Sequence, residues 1–228
     1  YNISTSSGAY GSFVDSNPSD EESPLRRLFY SPPTSFNTEP NILLEYDTGE
    51  VIDGIYCGVA EPEQEVLEQV RKSLNHWIAS GGYQPQSRES ILIPIAMHVI
   101  RYDDGSHDVE DSNIQAQIDV LNAGLATHNF QFELISIDRT DNTSWSTHAY
   151  GDIAEEDAMK SALAIDPIST FNFYLCDLQD GLLGYATFPF MYSEDSYMHG
   201  VVLHSESIPG GTLPPAYSTG DVGIHEAG

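Results

Sequence analysis

The sequence predicts an α+β protein in which five strands are interspersed with helices. Five segments are either continuously apolar or alternate apolar and polar residues, which is typical of strands. They are 91–102, 130–140, 171–178, 181–189 and 199–207. Two further segments, 112–128 and 153–165, repeat apolar residues with helical periodicity. The order is strand, helix, strand, short helix, three strands and the start of a last helix.

The helix predicted over 112–128 has one apolar face with a spacing of three or four residues. That face is formed by Ile114, Ile118, Leu121 and Leu125. Ser112 and Gln115 have the spacing of a capping box, which predicts the helix start. The shorter helix is expected to end at Asp166-Pro167, because the residue before a proline disfavours the helical conformation.

The first 88 residues have a different composition from the rest of the chain. The segment 1–40 is rich in Ser, Asn, Gly, Pro and acidic residues without periodicity, which predicts a flexible or extended segment. Short strand-like pieces follow in 41–60, and 61–82 predicts an amphipathic helix that ends at two glycines. A polar linker, 83–90, comes next. We therefore predict three regions: 1–40, 41–88 and 89–228.

Acidic side chains dominate the composition, with 35 Asp and Glu against 8 Lys and Arg and a formal net charge of −27. This argues against nucleic acid or an anionic membrane as a partner, because both attract Lys and Arg. No apolar run reaches the ~18–20 residues of a membrane-spanning helix. Carboxylates also suit Ca²⁺, but the sequence has no Asp-x-Asp-x-Asp-Gly loop, so it identifies no calcium site.

The final stretch, "GDVGIHEAG", contains His225 followed by Glu226. Two histidines four residues apart on a helix can bind one Zn²⁺, and a glutamate beside the first can deprotonate a water. The second histidine of such a motif would fall at position 229, so the pair alone is weak evidence. Of the other histidines, His98 lies within an apolar strand and is interpreted as a buried sheet residue. Only His199 and His204, which flank the last strand, are expected near a cleft.

Several stretches between residue 91 and the end resemble the pappalysin family of metzincin metalloproteases. They are "IPIAMHVIRY", "NIQAQIDVLNAGL", "GLLGYATFP", "GVVLHSESI" and "IHEAG". The resemblance implies a metzincin-like N-terminal subdomain: a twisted, mostly parallel five-stranded sheet with one antiparallel edge strand, two backing helices and the start of the active-site helix. The family continues "IHEAG" as HExGHxxGxxH. We therefore expect two further zinc histidines and the C-terminal half of the catalytic domain beyond Gly228.

The same resemblance implies a secreted zinc endopeptidase that cleaves a peptide or protein substrate through a zinc-bound water. His225 matches the first zinc ligand, and Glu226 matches the general base. The edge strand against which the substrate lies matches Leu183, Gly184, Tyr185 and Ala186. For the side chains of Tyr185 and Phe188, ordinary sheet packing is the expected role.

The stretch "IYCGVAEPEQEVLEQVRKSLNHWIAS" resembles the end of the family's prosegment. In that setting the Cys57 thiolate is a zinc ligand in the latent state and keeps water away from the metal. A disulfide between Cys57 and Cys176 and a pair of free thiols remain alternatives. Arg88 is a candidate maturation site, because cleavage there removes Cys57.

Two other classes of function remain open. The chain fits a non-enzymatic module that binds peptides at an exposed sheet edge, in which case "HEAG" is accidental. It also fits an inhibitory or chaperone-like fragment that acts on the remainder of its own domain. Peptide binding that ignores chelators favours the first, and activity restored by mixing the two halves favours the second.

Overall fold

The computed structural model describes residues 44–45, 51–52, 62–81 and 90–228. Cys57, Arg88 and the segment 1–40 lie outside the described residues, so the structure leaves their predicted roles untested. In the described part of the chain, no helix is long and apolar enough to cross a membrane.

The chain divides into two compact units, of which the first includes helix α1, Gln64–Ala79. This helix forms within the segment where its periodicity predicts it, and Ser80 ends it by donating its hydroxyl to the Trp77 carbonyl at 2.8 Å. Its large apolar side chains are exposed: Leu67, Leu74, Trp77 and Ile78.

The second unit includes all the strands. The short strands β1 (Leu44–Glu45) and β2 (Val51–Ile52) pair antiparallel. The main sheet has the order β4–β3–β5–β7–β6. Its strands are β3 (Ile91–Arg101), β4 (Phe130–Asp141), β5 (Phe171–Cys176), β6 (Gly184–Ala186) and β7 (Val201–His204). All neighbours are parallel except β6, which runs antiparallel to β7. The predicted mixed sheet with one antiparallel edge strand is confirmed.

Alternate residues of the central strands face opposite sides of the sheet, and each side has its own apolar core. On one side, α2 (Asp111–Leu125) packs its predicted apolar face on β3, β5 and β7. On the other side, α4 (Ile153–Leu163) buries Met159 against the same strands. The last helix, α5 (Asp221–Ala227), lies beside α2. Burial of each large aliphatic side chain contributes about 1.5–3 kcal/mol.

The structure corrects several local predictions. The capping box is wrong: α2 begins at Asp111 after Glu110, without a side-chain cap, and Gln115 instead donates to Asp119 at 3.0 Å. Ser112 therefore lies inside the first turn of the helix. The sequence analysis also missed a one-turn helix, α3 (Thr143–Ser146), whose cap is the Asn142 side chain. Strands β6 and β7 are shorter than predicted.

Candidate active site

Helix α5 packs closely on α2, because a side chain of each helix lies against a glycine of the other. A Cβ on Gly223 would lie 2.4 Å from Gln117 Nε2, and one on Gly124 would lie 2.4 Å from Ile224 Cδ1. Gln117 is fully buried and donates its amide to the Gly220 carbonyl at 3.1 Å. Gly220 has φ 89°, a left-handed conformation that favours glycine. These contacts fix where α5 begins and which of its faces meets the sheet.

The predicted catalytic pair lies on this helix, with His225 exposed and Glu226 half-buried. The Glu226 side chain packs against β6, because a Cβ on Gly184 would lie only 3.2 Å from Glu226 Cγ. The same Cβ would lie 3.1 Å from the Val202 carbonyl. Glycine at position 184 therefore allows Glu226 to approach the backbone of the predicted substrate strand.

Strand β6 forms one edge of the sheet and, in the residues described, pairs only with β7. The His204 amide donates to the Leu183 carbonyl at 2.8 Å. Backbone groups of successive residues alternate between the two sides of a strand. Leu183 and Tyr185 therefore direct their backbone groups toward β7, whereas Gly184 and Ala186 present N–H and C=O groups to the free edge.

The Tyr185 side chain anchors β6 to the core and is only 2% exposed. Its hydroxyl lies 2.6 Å from His148 Nε2, and His148 Nδ1 lies 2.6 Å from the Trp145 carbonyl. Because a carbonyl only accepts, His148 Nδ1 donates to the Trp145 carbonyl. Burial, reinforced by the Glu156 carboxylate, raises the pKa of Tyr185 well above its ordinary value. Sheet packing is confirmed for Tyr185, but Phe188 lies beyond β6 and stacks on Phe190.

The described residues place one predicted zinc ligand, His225, on an exposed helix face. Within the described ranges, no three His, Cys, Asp or Glu side chains converge to hold a metal ion. A zinc site in a protein takes at least three protein ligands. His225 thus fits a zinc site as one ligand, and the other described residues do not complete the set. Cys176 is a buried free thiol whose burial raises its pKa.

The sequence analysis missed a polar cluster at the carboxyl ends of β3, β5 and β7. Asp177 accepts a short hydrogen bond from the Tyr102 hydroxyl, which raises the pKa of Tyr102 to about 12. The Asp177 carboxylate also lies 3.5 Å from His204 Nε2 and 3.8 Å from His107 Nδ1. Burial lowers the pKa of His204, and Asp177 partly opposes this effect. The sequence did contain a signal for this cluster: Tyr102 and Asp177 directly follow strands β3 and β5. The carboxyl ends of parallel strands meet at one edge of the sheet, so such residues lie close together.

His98 is fully buried, as predicted, and joins three strands. Its Nδ1 lies 2.5 Å from Asp138 Oδ2 on β4, and its Nε2 lies 3.0 Å from Asn172 Oδ1 on β5. Its ring stacks on Tyr174 with a centroid distance of 4.7 Å. These contacts make His98 a structural residue of the sheet.

His199, by contrast, bonds the Ser193 carbonyl in the loop before β7.

No family model matches the chain. An extracellular metalloprotease of Verticillium alfalfae is 30% identical over 188 residues, which cover 75% of this chain and 62% of the relative. Another from Arthroderma benhamiae is 31% identical over 178 residues, which cover 75% and 61%. The chain thus spans about 60% of the length of these curated relatives.

Two solved structures from Tannerella forsythia resemble the fold. Promirolysin has a TM-score of 0.58 and 25% identity, and the match covers 75% of this chain and 66% of that one. Mature mirolysin in complex with a cleaved peptide has a TM-score of 0.52 and 28% identity, and covers 63% of each chain. In sequence the chain is thus similar to proteins named extracellular metalloproteases, and in fold it is similar to mirolysin and promirolysin.

Proposed function

We propose that this chain is the N-terminal part of a secreted zinc endopeptidase that is made as a zymogen. The observation that carries the proposal is the packing of Glu226 against β6 at Gly184, with 3.2 Å between Glu226 Cγ and the position of a Cβ. A group able to transfer protons thus lies beside a strand edge able to bind an extended peptide. The names of the relatives, extracellular metalloproteases, support both the peptidase activity and secretion.

A peptide substrate would add to β6 as an antiparallel strand. Gly184 and Ala186 would supply the backbone hydrogen bonds, since their N–H and C=O groups face the free edge. Leu183 and Tyr185 would hold the strand in place from the β7 side. Because only Gly184 and Ala186 would face the substrate, and would do so through their backbone groups, we expect backbone hydrogen bonds to dominate substrate binding at β6.

Glu226 would act as the general base and then as the general acid. It would orient a water, take its proton, and pass that proton to the leaving amine. His225 would be one of the ligands of the metal. Zinc, when bound, supplies a Lewis acid that polarises the scissile carbonyl and lowers the pKa of a water to about 7. The base then need not be strong.

The remaining zinc ligands would come from sequence that follows Gly228 in the family motif HExGHxxGxxH. Two observations support this proposal: the described residues contain no group of three ligands, and the chain spans about 60% of the length of its curated relatives. The C-terminal half of the catalytic domain would complete the cleft below β6.

Latency would depend on the region 41–88, with Cys57 as the zinc ligand of the inactive state and Arg88 as the maturation site. The likeness to promirolysin supports a prosegment, because it covers 75% of this chain, against 63% for the mature enzyme. Release of the prosegment would open the metal to water. In the full-length protein, Cys57→Ala should give peptidase activity before any cleavage at Arg88; continued latency would contradict this role.

The experiment that tests the function uses the full-length product of the gene. Zinc content and cleavage of a fluorogenic peptide are measured before and after addition of a chelator. Glu226→Gln should retain zinc and lower kcat by about 10²–10⁴-fold, the usual contribution of a general base. Asp221→Asn, on the same helix, is the matched control and should keep most of the activity.

Cleavage that is insensitive to chelators, or an unchanged kcat in Glu226→Gln, would contradict the proposal. Peptide binding without any cleavage, unaffected by chelators, would instead support the non-enzymatic module. The non-enzymatic module would bind peptides at the same free edge of β6 and would require neither His225 nor Glu226.

A further inference from the structure

A fully buried ion pair lies behind the edge strand β6. Lys160 on α4 has no exposed surface, and its Nζ lies 2.7 Å from Glu156 Oε1 one turn earlier. Lys160 also donates to the Met198 carbonyl at 2.9 Å. Its Nζ lies 5.7 Å from the ring centroid of Tyr185 and 5.8 Å from that of Tyr174. These four contacts join the ammonium group to α4, β5, β6 and the loop before β7.

Stability alone does not account for such a pair. Removing two charges from water costs about as much as their attraction returns, and apolar side chains of similar volume are often equally stable. The pair instead fixes the positions of the groups that it contacts, which are the rings of Tyr174 and Tyr185 and the Met198 carbonyl. Of these groups, Tyr185 belongs to β6, the strand against which Glu226 packs.

Strand β6 needs such support, because it is only three residues long and has one neighbouring strand. Tyr185 is its single large buried side chain, with His148 at the hydroxyl and Lys160 over the ring. Thr187 Oγ1, just after β6, donates to the same Met198 carbonyl at 3.4 Å. Lys160 thus contacts Tyr185, just before the connection between β6 and β7, and Met198, near the end of that connection.

We propose that Lys160 and Glu156 are positioning residues that set the place of β6 relative to Glu226 and thereby control peptide binding. The proposal rests on the proposed peptidase function. Gly184, next to Tyr185, is the residue against which Glu226 packs, so a shift of Tyr185 moves the substrate strand relative to the base. The backbone groups that would bind the peptide move with β6, so such a shift weakens peptide binding.

The test compares a single and a double variant in the full-length protein. Lys160→Met leaves the Glu156 carboxylate buried without its cation and should lower Tm. Glu156→Gln combined with Lys160→Met removes both charges and should restore Tm close to the wild-type value. The double variant should still raise KM about tenfold while kcat stays within about twofold, because contacts of β6 are made with bound substrate and transition state alike.

Hydrogen exchange of the β6 amides gives a readout that does not depend on catalysis. Exchange at the Tyr185 amide, which faces β7, should be faster in the double variant. The matched control is Ala162→Met, which places the same side chain at an exposed position of α4 and should leave KM and exchange unchanged.

A double variant with wild-type KM and wild-type exchange would overturn the proposal, as would a rise in KM that disappears when Tm is restored. If the wild-type protein shows no zinc-dependent cleavage but exchange in β6 still rises in the double variant, the peptidase function fails and the positioning of β6 stands. The two failures are therefore distinguishable.

Discussion

The two edges of the sheet are built differently. Edge strand β4 has 12 residues, and the Asn122 side chain on α2 takes up both backbone groups of Phe132. The Phe132 amide donates to Asn122 Oδ1 at 2.6 Å, and Asn122 Nδ2 donates to the Phe132 carbonyl at 3.2 Å. At β6, which has three residues, no described side chain does the same for Gly184 or Ala186.

Two further features protect the β4 edge. Its pairing with β3 shifts register between Ile95 and Ala96, which marks a bulge, and bulges discourage the addition of another strand. Near its end, Arg139 donates to the Val109 carbonyl at 2.8 Å and forms ion pairs with Asp108 and Asp111. The long edge is thus closed by side chains, whereas in the described residues the short edge beside Glu226 has no such cover. If the proposed function holds, this difference favours β6 over β4 for peptide binding.

The largest effect is expected where β4 is attached to the sheet. His98→Leu removes the hydrogen bonds to Asp138 and Asn172 and the stacking on Tyr174, and should lower the free energy of unfolding by about 3 kcal/mol. Urea unfolding measures this change. His128→Leu, at an exposed turn, is the control; equal losses in both variants would show that the buried network contributes little.

The next effect tests the open edge. Ala186→Pro removes an outward-facing N–H but leaves the β7 side of the strand intact, and should raise KM for an extended peptide about 10–100-fold at nearly unchanged Tm. Ala186→Val keeps the N–H and serves as the control. Similar KM values for the two variants would mean that the substrate does not pair with this edge.

A smaller effect is expected at the protected edge. Asn122→Ala frees the amide and carbonyl of Phe132 and should destabilise the fold by about 1–2 kcal/mol. The variant should also self-associate through β4, which light scattering after size exclusion detects. Gln115→Ala on the same helix, where the side chain bonds only Asp119, is the control. A monomeric Asn122→Ala of unchanged stability would contradict the protective role.

The smallest effect concerns how the free energy of unfolding depends on pH through His204, on the strand β7 next to β6. Burial lowers the pKa of His204, so the folded state favours its neutral form and unfolding favours its protonated form. The stability associated with this group is therefore present above the ordinary histidine pKa of about 6.5 and is lost as the pH falls below it. His204→Asn should give a shallower decline in unfolding free energy between pH 7.5 and 5.5. Equal declines in both proteins would exclude this contribution.

Much of the fold was predictable because local patterns report burial directly. The strongly apolar segment 91–102 predicted strand β3, and the spacing of Ile114, Ile118 and Leu121 predicted the buried face of α2. The likeness of "GLLGYATFP" and "IHEAG" to one family predicted that β6 and Glu226 belong to one site, and the structure places them in contact. The capping box failed because the N-cap of α2 is Glu110, two residues before Ser112.

By itself, the sequence determined the order of the elements, the apolar faces that form the core, and the identity of the His225-Glu226 pair, because each follows from residues that are close along the chain. Only the tertiary structure decided that Lys160 is buried beneath Tyr185, that Asn122 closes one edge, and that β6 pairs with β7 alone among the described strands. These pairings join residues far apart in sequence. They exist because the strand order β4–β3–β5–β7–β6 brings α2 to one edge and α4 beneath the other.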